Sequence, residues 1–172
     1  MSALPEYLRK QAYQYRLEKA KAQTQHRERG SAGIDLQQYQ SADGIVRFVR
    51  EVLKVDPAPY QEEILRAFVE HKRVSARGPH GLGKTALAAW VILWGITVFQ
   101  DDVKIPVTAS AWRQLSKFLF PELHKWAKRA DWTALGIQMR RGLELLSLSI
   151  KLPGKEAFAV ASNNPDLIEG AH

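Results

Sequence analysis

No cysteine occurs in the 172 residues, which excludes a disulfide framework, a zinc ribbon and thiol chemistry, and agrees with a reducing intracellular setting. Histidine is sparse too: the five, at positions 26, 71, 80, 124 and 172, are too scattered to suggest a zinc site. The opening Met1-Ser2-Ala3-Leu4-Pro5-Glu6 has no apolar segment of the kind a secretory signal needs, so export is not expected. Long hydrophobic runs are also missing. The nearest, Ala86 to Phe99, falls short of the roughly 20 residues of a spanning helix and is expected as a buried helix, with no membrane partner. Neither a repeat nor a low-complexity segment is present.

The length fits one ordinary domain, and an apolar share of 45% is enough for a real core. Acidic residues are scarce in two stretches. Between Trp112 and Arg141 seven basic residues (Arg113, Lys117, Lys125, Lys128, Arg129, Arg140, Arg141) face two acidic ones, and residues 1–30 hold seven basic against three acidic. With a net charge of +7, these are two candidate surfaces for an acidic partner, though the same pattern also suits the solvated face of a plain helix.

Residues 4–29, rich in Gln, Lys, Arg and Ala, predict an exposed basic helix, so residues 1–30 read as a helical appendage to a domain spanning 31–172. Ile45, Val46, Phe48, Val49, Val52 and Leu53 follow the spacing of an amphipathic helix. Asp56-Pro57-Ala58-Pro59 closes it and starts another, with Ile64, Leu65, Phe68 and Val69 as its apolar face. Residues 73–77 are a short strand candidate, followed by a glycine loop and the apolar helix to about Phe99. Val103 to Ala109 predicts a second strand, Ala111 to about Ala130 a basic amphipathic helix, and 143–152 and 157–161 two further strands. Strands alternating with helices predict an α/β fold, a parallel or mixed sheet between helices.

The loop is Gly78-Pro79-His80-Gly81-Leu82-Gly83-Lys84-Thr85, which fills every fixed position of G-x-x-x-x-G-K-[ST]. Backbone N–H groups converging at a helix N-terminus suit closely spaced phosphate oxygens, and glycines let the chain bend around them without Cβ clashes. Lys84 would reach the β and γ phosphates and act in catalysis, while the Thr85 hydroxyl would complete the shell of a magnesium ion. The bland alternative is a glycine turn that caps a helix. Phe99-Gln100-Asp101-Asp102 looks like an apolar run ending in magnesium-binding acids, but it directly follows the loop helix and reads as a polar helix terminus. Upstream, Tyr60 and Gln61 open a helix; a tyrosine can pack on a base, and a glutamine amide can bond the Hoogsteen edge of adenine. Taken alone, such a glutamine is more often surface decoration.

Taken together, Tyr60-Gln61, Ser75 to Thr85, Thr108-Ala109-Ser110 with Gln114, Ala161-Ser162 and Gly170-Ala171-His172 occur in an order that resembles the ATPase half of the phage terminase large subunit. The resemblance covers about residues 45–172. It implies a RecA-like P-loop NTPase core that binds ATP and Mg2+, with Gln61 as adenine reader and Gly78 to Thr85 as the Walker A loop. It further implies a motor that packages double-stranded DNA into procapsids, working in the bacterial host cytoplasm as a homo-oligomeric ring with a terminase small subunit and a portal protein. The basic helix with Trp112, Arg113, Lys117, Lys125, Trp126, Lys128 and Arg129 is a candidate DNA contact, the alternative being a plain amphipathic core helix. Many relatives carry an arginine where this loop has His80, and Arg77 stands just outside it. The family's Walker B Asp, catalytic Glu and nuclease domain are expected beyond His172, so this chain is expected to bind ATP with little turnover. Another RecA-like helicase or translocase, or a truncated prophage fragment that binds nucleotide without turnover, are the alternatives.

Overall fold

Helix α1 (Ala42–Glu51) begins where Ser41 accepts a hydrogen bond from the Gly44 backbone N–H at 3.0 Å, which satisfies one of the donors that a helix start leaves open. The computed structural model describes residues 35–71, 73–99, 102–137 and 143–160, all within one compact unit. The expected appendage at 1–30, residues Gln100, Asp101, Arg140 and Arg141, and the segments with Ala161-Ser162 and Gly170-Ala171-His172 lie outside the described residues. Ile45, Val46, Phe48, Val49, Val52 and Leu53 are all fully buried, as their spacing predicts.

Pro59 occupies the first turn of α2 (Pro59–Glu70), where its missing N–H has no cost. Glu62 pairs with both Arg50 and Arg66, and Arg66 also pairs with Asp43 at 2.9 Å, so ion pairs tie α2 to α1. Exposed pairs of this kind contribute about 0 to 1 kcal/mol each, so they orient the two helices more than they hold them.

Helix α3 (Lys84–Val98) is apolar on nearly every side, the pattern of a helix surrounded by protein. It is the centre of the core. The Trp94 indole N–H donates to the Tyr39 carbonyl at 2.8 Å, which docks a short 3-10 turn (Leu36–Tyr39), and Gly95 lets strand β1 (Val103–Val107) approach closely through Ile105. The helix ends at Val98 with Phe99 already extended, so Asp102 lies beyond its end, directly before β1.

After β1 a helical run carries three parts: α4 (Trp112–Gln114), a π-helical turn (Leu115–Leu119) and α5 (Phe120–Arg129). Pro121 gives the reason for the π turn. In a regular helix its ring would meet the carbonyl four residues back; here Phe120 reaches five residues back, to Leu115, and the wider turn relieves the crowding. The periodicity predicts one continuous helix over this stretch, and the direction is right while the turn is not.

Strands β2 (Glu144–Leu146), β3 (Ser149–Leu152) and β4 (Lys155–Ala159) complete a sheet ordered β1-β4-β3-β2. β4 runs parallel to β1 and antiparallel to β3, and β3 antiparallel to β2. The described part is thus a mixed α/β fold with a four-stranded mixed sheet between helices. Pro153-Gly154, with Gly154 at φ +75, makes the turn between β3 and β4 that a type II geometry demands. The single strand expected over 143–152 is instead a hairpin, because Ser147-Leu148 turns the chain without any Gly, Pro or Asn to mark it.

A second difference matters more for the site. Residues 73–77, expected as a strand, are an exposed stretch with no ladder partner among the described residues. Arg73 and Arg77 bracket only three residues, and Val74 is itself exposed, so the segment has no apolar face to bury.

His124 of α5 packs edge-on to Phe120 and lies against the β2–β3 hairpin. Burial is the main cause that holds it below its ordinary value of 6.5; backbone groups of Ser149 and Leu146 partly oppose this, and Lys128 adds to it. The unfolded chain therefore takes up the proton first as pH falls, and protonation favours unfolding. Stability from this group is expected to be fully present above pH 6.5 and to be lost as pH drops through that value toward the lower folded one. Urea denaturation over a pH series should show this decline, and His124→Gln should flatten it.

Candidate functional site

The loop that begins at Gly78 ends in two glycines with left-handed backbones, Gly81 at φ +88 and Gly83 at φ +69. Both values are accessible to glycine and costly for other residues. Gly83 is the N-cap of α3, its carbonyl accepts the first helical bond from Leu87 N–H at 2.9 Å, and no side chain caps the helix. The first N–H groups of a 15-residue helix thus open onto a loop whose residues Pro79 to Leu82, Lys84 and Thr85 are exposed.

The Lys84 ammonium curls back over this loop. It donates to the Gly78 carbonyl at 2.8 Å and to the Pro79 carbonyl at 2.5 Å, so a cation sits on the loop's own acceptors. Thr85, one residue on, presents its side chain to solvent. His80 and Arg77 are exposed as well. Among the described residues no cluster of three or more His, Asp or Glu could hold a metal, so a divalent cation here would rest on the Thr85 hydroxyl, water and the ligand's own oxygens.

The structure brings Tyr60 and Gln61 to the same loop. The Tyr60 hydroxyl donates to the Leu82 carbonyl at 2.9 Å across 22 residues of sequence. The Gln61 carboxamide is buried; its oxygen accepts from the Ala58 backbone N–H at 2.9 Å, and its nitrogen lies against Gly83. These contacts to Leu82 and Gly83 are what sequence reasoning missed. The signal available to it was only the nearness of two polar residues to a helix start, which does not say what they touch. Thr108, Ser110 and Gln114 follow β1 on the surface, with a weak Ser110 to Gln114 bond at 3.4 Å.

The basic helix divides. Trp126, grouped by sequence with the surface cations, turns inward at 8% exposed and meets Trp90 edge to face, with ring centroids 5.5 Å apart. It belongs to the core because it lies on the same face as Leu123 and Ala127. Its indole N–H donates to Glu122 at 2.7 Å, and Lys125 is spent on the same carboxylate at 3.1 Å. Arg129 lies over the Trp126 ring at 4.9 Å. Arg113, Lys117 and Lys128 remain exposed, with Trp112 and Phe118, about half exposed, beside the first two. Arg113 and Lys117, four residues apart, are neighbours on one helical face.

Among the described residues no helix is long and apolar enough to cross a membrane. Compared with protein-family models, curated proteins and solved structures, the chain matches none of them.

Proposed function

We propose that residues 78–85 bind ATP with Mg2+, and that the chain is the nucleotide-binding part of a DNA-packaging motor of the terminase large-subunit type, built on a RecA-like P-loop core. One observation carries the nucleotide reading: an exposed lysine at the N-terminus of a buried helix rests on the carbonyls of a loop bent by two left-handed glycines. A triphosphate entering the loop would meet the open N–H groups at the start of α3. Lys84 would leave the Gly78 and Pro79 carbonyls for phosphate oxygens, a stronger, charge-assisted pairing. The Thr85 hydroxyl would hold the magnesium ion, whose charge neutralises neighbouring phosphate oxygens. The motor reading rests on the order of the sequence motifs and on the exposed cations Arg113, Lys117 and Lys128.

Calorimetric titration with ATP and Mg2+ tests the site. Lys84→Ala is expected to weaken binding about 10- to 100-fold, the worth of charge-assisted bonds to phosphate; equal affinity in the two proteins removes the nucleotide reading. DNA contact is tested by its salt dependence. Each phosphate contact contributes about 0.9 to the slope of log affinity against log salt. Changing Arg113, Lys117 and Lys128 to Gln is expected to flatten the slope by about 2 to 3 on duplex DNA. An unchanged slope would place the contact elsewhere.

A further inference from the structure

Gln61 is 8% exposed, and its carboxamide is oriented by the backbone at the start of its own helix. The Ala58 backbone N–H, a donor, must face the amide oxygen, and it does so at 2.9 Å. That turns the amide nitrogen toward the loop, where it fills the place a Cβ on Gly83 would take: such a Cβ would stand 2.9 Å from it. One residue earlier, Tyr60 bonds the Leu82 carbonyl at 2.9 Å. Two consecutive residues of α2 therefore grip two consecutive residues of the loop.

Reading an adenine edge requires the amide oxygen and nitrogen side by side on an open edge. Here one backbone N–H already holds the oxygen, and the nitrogen stands beside Gly83 of the loop. We infer that Tyr60 and Gln61 are positioning residues that set the phosphate loop, so that they act on the triphosphate through Leu82 and Gly83. The inference rests on the proposal that residues 78–85 hold a triphosphate. Leu82 and Gly83 precede Lys84, and the direction of their peptide planes decides where the N–H groups at the start of α3 point. Tyr60 fixes the first of these planes through its carbonyl, and Gln61 limits how far the second can swing. The Glu62, Arg50 and Arg66 pairs orient α2 on α1.

Calorimetric titrations with ATP, GTP and inorganic tripolyphosphate, each with Mg2+, separate a base reader from a loop-positioning residue. The proteins are the unaltered chain, Gln61→Ala, Gln61→Glu, Tyr60→Phe and Lys84→Ala, with the melting temperature of each recorded. Gln61→Glu keeps the acceptor for Ala58 and so the start of α2, but it also adds a negative charge near the phosphates, so the neutral Gln61→Ala is the variant that decides. Gln61→Ala and Gln61→Glu are expected to weaken all three ligands by the same factor, about tenfold, and Tyr60→Phe by about threefold, the range of single hydrogen bonds. Loss of ATP affinity alone, with tripolyphosphate unchanged, makes Gln61 a base reader and overturns the inference. Unchanged affinity for all three ligands in the Gln61 and Tyr60 variants overturns it as well. If a Gln61 variant does not fold, Tyr60→Phe decides by the same comparison. Failure of the underlying site looks different: the unaltered chain and Lys84→Ala then bind tripolyphosphate equally or not at all.

Discussion

Replacing Gly44 by alanine is expected to destabilise the fold by about 3 kcal/mol or more, at the upper end of what overpacking costs. Helix propensity alone argues the opposite, since Gly44 lies inside α1 and alanine is favoured there by about 1 kcal/mol. Packing decides the sign. A Cβ at position 44 would stand 2.6 Å from the Gln38 carbonyl oxygen and 2.6 Å from the Tyr39 carbonyl carbon, and backbone atoms cannot rotate away as a side chain can. The turn at 36–39 would have to lift. With it would go the Tyr39 hydroxyl bond to Glu51 at 2.8 Å, the Trp94 bond to the Tyr39 carbonyl and the edge-on contact of Tyr39 with Phe48. The phenol end of the Tyr39 to Glu51 bond is buried: burial, then the bond to Glu51, pushes the phenol up to about 12, and accepting it lowers the Glu51 carboxyl. Thermal denaturation should show a fall of roughly 10 °C. An unchanged melting temperature would mean that the turn yields without cost.

Gly83→Ala is expected to weaken triphosphate binding at least about tenfold and to cost about 1–2 kcal/mol of stability, the penalty of a left-handed backbone for alanine. Two effects add at this position. The backbone at φ +69 disfavours any side chain, and the new Cβ meets the Gln61 amide nitrogen, which is not free to move while Ala58 holds its oxygen. Gly81 supplies the control. At φ +88 it carries similar backbone strain, but a Cβ there has nothing within 4 Å. Gly81→Ala should therefore weaken binding less than Gly83→Ala, as read by calorimetry, and equal losses would remove Gln61 from the account.

The parts of the fold legible in the sequence are those set by neighbours along the chain. The apolar spacing from Ile45 to Leu53 marks α1, Asp56-Pro57-Ala58-Pro59 marks the start of α2, and the apolar run after Lys84 marks a buried helix. What failed to show depended on partners far along the chain or on a local conflict. The 73–77 segment follows the order of a strand before a glycine loop, but it has no ladder partner among the described residues. The hairpin at 144–152 turns on Ser147-Leu148, two residues with no turn signature of their own. Pro121 was visible throughout, yet whether a proline kinks a helix, ends it or widens one turn depends on how the flanking faces pack.

The candidate site divides the same way. By itself the sequence determined the loop's bends at Gly81 and Gly83, the start of α3 at Lys84 and the burial of that helix, because each follows from backbone sterics or from apolar residues close in the chain. Only the tertiary structure decided that Tyr60 and Gln61 touch Leu82 and Gly83, that Lys84 rests on two carbonyls, and that Trp126 leaves the basic surface for the core. The physical reason is reach. A dihedral preference is settled by the residues on either side, whereas what a side chain touches is settled by how helices and loops cross, and that depends on every contact in the core at once.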